Sequence, residues 1–93
     1  MDDEKIRLQK LQGLYRLIRD LLASKKDVKK EAQIYQDLAA YLDDFNKWAR
    51  EVGLQIEPFD IVRIRHGEVI LRELLADIDI AELMVRKYIQ GLQ

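Results

Sequence analysis

Very little in this chain is equipped to make or break a covalent bond. Its 93 residues include one histidine, His66, one serine, Ser24, and neither cysteine nor threonine. Nucleophilic catalysis needs a hydroxyl or thiol beside a proton acceptor, so that arrangement is nearly excluded. His66 has no carboxylate and no second histidine four residues to either side. That spacing is the one that sets two metal ligands on a single helical face, so His66 reads as a turn or half-exposed helical position. Phosphate-cradling loops need clustered glycines, whereas Gly13, Gly53, Gly67 and Gly91 are isolated. The absence of cysteine also excludes disulfides and thiolate metal sites. The sequence therefore assigns no catalytic residue, no metal ligand and no cofactor, and the chain reads as a non-enzyme.

Charged groups offer binding chemistry instead. The segment KKDVKK carries Lys25, Lys26, Lys29 and Lys30 within six positions. Four lysines can neutralise about three or four phosphates, which gives weak, salt-sensitive nucleic-acid binding. No aromatic residue interleaves with them to stack on bases. Arg63, Arg65 and His66 form a second small basic cluster. With a net charge of −1, no global field draws nucleic acid or a membrane surface. Among the acids, Asp43 and Asp44 read as a solvated helix face. Asp79 with Glu82 matches a capping box, in which an N-cap acid and a glutamate three residues on satisfy each other's backbone amides.

The third chemistry is apolar. Ile34, Tyr41 and Trp48 recur every seven residues. Tyrosine and tryptophan join a large apolar area to a polar handle, which enriches them at protein interfaces. This line is the candidate protein interface; its ordinary alternative is the flank of a bundle core.

The element that positions this line runs from Asp27 to Val52. Val28, Tyr35, Leu42 and Ala49 form one seven-residue series, and Leu38, Phe45 and Val52 form its companion. With the aromatic line, they span an arc of about 120°, which Ala32 and Ala39 widen to about 160°. A helix covered on one side needs little more than about 100°, so this one should meet neighbours on two sides. Asp27, with Ser24 as a rival, is the expected N-cap. Gly53 is the expected left-handed terminator, with Leu54 folding back as its apolar contact.

Residues 2–23 read as an earlier helix, with Leu8, Leu11, Leu14, Tyr15, Ile18, Leu21 and Leu22 at helical spacing. The short link Ser24–Asp27 predicts an antiparallel hairpin. Beyond Gly53, Pro58 suits a first helical position, and Phe59, Ile61, Ile64, Leu71, Leu74, Leu75 and Ile78 keep helical spacing. The same stretch admits two β-strands around a His66–Gly67 turn, at about 60–72. Helix is preferred there, because an isolated ribbon is marginal. A final helix is expected from Ile80 to Gln90, capped by Asp79; a continuous helix from Pro58 to Gln90 is the alternative.

Together these features predict one all-α domain over residues 1–93, a bundle of three to four helices built on an antiparallel hairpin. The alternative is α+β with a hairpin at 60–72. At 48% hydrophobic and 35% charged residues, the chain is too apolar for disorder. No run approaches the length of a membrane span, and the start MDDEK lacks a signal-peptide form. The expected setting is the cytoplasm. The leading functional expectation is a non-catalytic interaction module that self-associates as a homodimer and serves as an adaptor or small subunit. A helical nucleic-acid-associated subunit, acting through the lysine corner, is second.

Overall fold

The computed structural model describes residues 3–23 and 28–92, with backbone alone described at 28–30. Four helices follow in order: α1 (Asp3–Ala23), α2 (Val28–Val52), α3 (Ile61–Arg65) and α4 (Leu71–Leu92). No strand occurs among the described residues, so the fold is all-α and the alternative hairpin at 60–72 is not formed.

The first two helices run antiparallel and touch through long side chains, while α1 packs most closely on α4 and α2 on α3. Arg7 reaches Asp44 at 2.9 Å and Lys10 lies 5.3 Å from the Tyr41 ring centre, so α2 recedes as α1 advances. The link Ser24–Asp27 and the N-cap expected there lie outside the described residues. At its other end α2 closes as its sequence predicts. Gly53 adopts φ 77°, the Gly53 amide donates to the Arg50 carbonyl at 3.3 Å, and the Leu54 amide donates to the Ala49 carbonyl at 2.8 Å. This pair of bonds is the Schellman closure, which satisfies carbonyls that the helix end would orphan.

The broad apolar arc of α2 is covered from two sides within one chain. Leu38, Ala39, Leu42 and Phe45 are fully buried, with Trp48 and Ala49 nearly so. One flank meets α1 and α4: Arg7 sits over Trp48, whose indole meets the Tyr88 ring edge-on at 5.7 Å. Gln12 donates to Glu82 at 3.1 Å while Arg7, five residues earlier, shares Trp48 with Tyr88, so α4 runs antiparallel to α1 and parallel to α2. The other flank meets a return segment, residues 54–67, that travels back along α2. Asn46 pins it, donating from Nδ2 to the Phe59 carbonyl at 3.0 Å and accepting the Phe59 amide at 2.9 Å.

That pin explains why Pro58 does not begin a helix. Phe59 spends both backbone groups on Asn46. Helix α3 starts only after Asp60, whose carboxylate caps the Arg63 amide at 3.2 Å. After five helical residues and the His66 cap, Gly67 ends it at φ 70°, with the Gly67 and Glu68 amides closing onto Ile64 and Arg63. A Cβ on Gly67 would also lie 3.3 Å from the Tyr35 ring. Both the backbone angle and the close approach therefore favour glycine.

The boundary expected at Asp79 does not exist. Helix α4 runs unbroken from Leu71 to Leu92, and Asp79 is an exposed mid-helix residue. Its capping-box partner Glu82 is engaged elsewhere, accepting from Gln12 and from Arg86 at 2.7 Å. Continuity wins because Leu74, Ile78, Ala81 and Val85 hold one buried face straight through the junction. The continuous helix from Pro58 to Gln90 is likewise replaced by α3, a glycine turn and α4.

The molecule measures 44 × 23 × 23 Å. A helix with side chains is about 10–12 Å across, so this cross-section has room for two by two. The chain fills three places with α1, α2 and α4, and the fourth with the return segment and the short α3.

Candidate functional site

Because the fourth place is filled by a thinner element, a groove stays open between the return segment and α4. Its volume is about 600 Å³. Ile56 and Phe59 come from the return segment, Ile64 from α3, and Leu74, Ala81 and Met84 from α4. The deep part is ordinary core, since Ile64, Leu74 and Ala81 are almost fully buried. The lip is not: Ile70 is 62% exposed and Ile80 55% exposed, both facing the same opening. A smaller cavity of about 310 Å³ lies around Asn46, Ala49, Leu54 and Pro58.

The rim is acidic. Glu57, Asp60, Glu68, Glu73 and Asp77 line the groove against a single cation, Arg63. Arg63 is already committed to Asp60, at 4.0 Å across an exposed pair. Glu73 and Asp77 stand four residues apart on one helical face, where like charges cost a few tenths of a kcal/mol. Among the described residues no group of three or more His, Cys, Asp and Glu side chains is placed to hold a metal ion.

The aromatic line takes a different position from the one its chemistry suggested. Trp48 is 7% exposed and packs against Phe45, Tyr88 and Arg7. Tyr41 and Ile34 are partly buried against the same core. In the folded chain this line is the seam between α2 and its helical neighbours rather than a free surface. Arg7 anchors the seam with bonds to Asp44 and Asp3, at 2.9 and 3.3 Å. Burial works against its charge, but hydrogen bonds to those two carboxylates outweigh it and the guanidinium pKa rises. The Tyr41 hydroxyl is buried without a hydrogen-bond partner. Burial, foremost, pushes its pKa up to about 12; Arg7 pulls it down in part, and Asp44 and Asp3 push it further up.

The remaining sequence candidates scatter. Lys25 and Lys26 lie outside the described residues, and Lys29 and Lys30 are described only as backbone in the first turn of α2. His66 is the exposed C-cap of α3. Asp43 pairs with Lys47 at 3.6 Å and Asp44 with Arg7, as members of a polar helix face. The groove itself went unseen in the sequence. Its signal was present: Ile70, Asp77 and Met84 recur every seven residues, as do Glu73 and Ile80. A helix break at Asp79 divides both series, so neither forms a stripe until α4 is known to be continuous.

The chain matches no family model, no curated protein and no solved structure.

Proposed function

We propose that this protein is a non-catalytic protein–protein interaction module, a small subunit or adaptor whose contact surface is the groove between the return segment and α4. One observation carries the reading: Ile70 and Ile80 stand more than half exposed at the lip of an apolar-floored groove. Large apolar side chains gathered around one concavity mark a docking surface far better than the same residues scattered singly. The residue inventory supports a non-catalytic role, since the groove presents carboxylates, one guanidinium, the Gln55 amide, the Met84 thioether and hydrocarbon but no hydroxyl or imidazole nucleophile. The basis for self-association changes with the fold. The wide arc of α2 is spent inside one chain, so it no longer calls for a second copy. The nucleic-acid reading rests on KKDVKK and the small cluster Arg63, Arg65 and His66, and the acidic groove beside Arg63 would repel phosphate.

The test is site-specific crosslinking in extract of the native host. A photoreactive residue replaces Ile80 in one variant and Gln36, on the exposed face of α2, in another. The proposal expects a defined protein adduct at position 80, absent at 36, that re-forms from purified components. No adduct at either position, together with a monomer of 11.0 kDa by light scattering, would overturn it.

A further inference from the structure

The groove's shape and charge narrow what can occupy it. Along α4 its wall runs from Glu73 to Met84. At about 1.5 Å per residue that is a straight edge of about 16 Å, or three helical turns. The opposite wall is the return segment, fixed to α2 by the two Asn46 bonds, so the groove is held open rather than free to collapse. The return segment and the short α3 are thinner than a full-length helix, so the space beside α4 is open along this edge.

Charge then selects among occupants. A second copy docking symmetrically would set the same patch against itself, as twofold interfaces require. The acidic rim of one copy, Glu57, Asp60, Glu68, Glu73 and Asp77, would then meet the same acidic rim of the other, with Arg63 as the one cation in each groove. Nucleic acid meets the same repulsion. A helix with one apolar face and lysines or arginines on its flanks satisfies both features: its apolar anchors, spaced three and four residues apart, enter beside Ile70 and Ile80, and its cations meet the rim. Docking would also relieve the like-charge pair Glu73–Asp77.

We propose that the groove between the return segment and α4 binds a basic amphipathic helix of about three turns, contributed by another protein, laid along α4. This rests on the interaction reading above and adds to it the chemistry of the partner.

The experiment uses the full chain and three fluorescein-labelled peptides of about 14 residues, read by fluorescence anisotropy. The first carries leucines at helical i, i+4, i+7 spacing with lysine flanks. The second replaces every lysine by glutamate. The third keeps the first composition but scrambles the leucine spacing. The basic amphipathic peptide should bind at least about tenfold more tightly than either control. Ile80→Ser, at an exposed position that leaves the fold intact, should weaken it by about tenfold. Glu73→Lys with Asp77→Lys should transfer the preference to the acidic peptide. Equal binding of the basic and scrambled peptides would overturn the proposal, since charge alone would then suffice. So would binding that survives both groove variants, or absence of binding by all three peptides. A chain that crosslinks its native partner at Ile80 yet prefers the acidic peptide keeps the interaction reading and loses this one. Self-association abolished by Ile80→Ser would overturn it in favour of a second copy.

Discussion

Asn46→Ala isolates the contact that keeps the groove open. The side chain makes two bonds to one residue, donating to the Phe59 carbonyl at 3.0 Å and accepting the Phe59 amide at 2.9 Å. Each bond contributes about 0.5–1.5 kcal/mol net. Removing both should cost about 1–3 kcal/mol, the upper end applying where Phe59 is left shielded from water. For a domain of this size that is a fall of at least about 4 °C in Tm. Thermal unfolding followed by circular dichroism reads the stability, and limited trypsinolysis at Arg63 and Arg65 reads the return segment directly. Cleavage should accelerate more than global unfolding does, because the segment can lift while α1, α2 and α4 stay packed. Asn46→Asp refines the test. It keeps an acceptor for the Phe59 amide but sets a carboxylate oxygen against the Phe59 carbonyl. Protonation restores a donor there, so the folded state holds the proton more tightly than the unfolded chain. The variant should be weakest near neutral pH and recover as pH falls. If Asn46→Ala unfolds like the parent and is cut no faster, the pin does not hold the segment.

Three further outcomes follow from the packing. Trp48→Glu buries a charge where Phe45, Tyr88 and Arg7 converge, and aromatic truncation alone costs about 3–5 kcal/mol. It should abolish most helical signal, and a folded variant that has lost only assembly would contradict the seam. Tyr41→Phe removes a buried hydroxyl that has no partner, so chemical denaturation should show stability unchanged or raised. Because the folded pKa of Tyr41 is raised to about 12, stability should be intact below the unfolded value of about 10 and decline above it. Tyr41→Phe should flatten that decline, and a variant with the same alkaline slope would refute the shift. Gly67→Ala forces an L residue to φ 70° and crowds the Tyr35 ring. A loss of at least about 1 kcal/mol is expected in urea unfolding.

The parts of this fold legible in the sequence are those set by local patterns on a single helix. The wide arc of α2 announces two neighbours, and Gly53–Leu54 announces a Schellman closure; both are present. At His66–Gly67 the turn is legible but its flanks are not. Ile61–Arg65 is β-branched enough for either strand or helix, and helix follows from the Asp60 cap and from Asn46, thirteen residues before Phe59, holding the chain ahead of it. At Asp79 local chemistry and long-range packing disagree. The capping box competes with a heptad face that buries Ile78, Ala81 and Val85, and packing against α1 and α2 prevails. The aromatic line is ambiguous for a related reason. Periodicity shows that Ile34, Tyr41 and Trp48 share a face, but whether α1 or a foreign chain covers it depends on which way the hairpin closes.

The most direct test of the groove as the contact surface is a backbone amide chemical-shift map of the full chain, titrated with the basic amphipathic peptide. Shifts should concentrate at residues 55–60, 63–64 and 68–84, with the Trp48 indole N–H and the exposed face of α1 unmoved. Shifts centred on Ile34, Tyr41 and Trp48 would contradict the account and return the aromatic line as the docking surface.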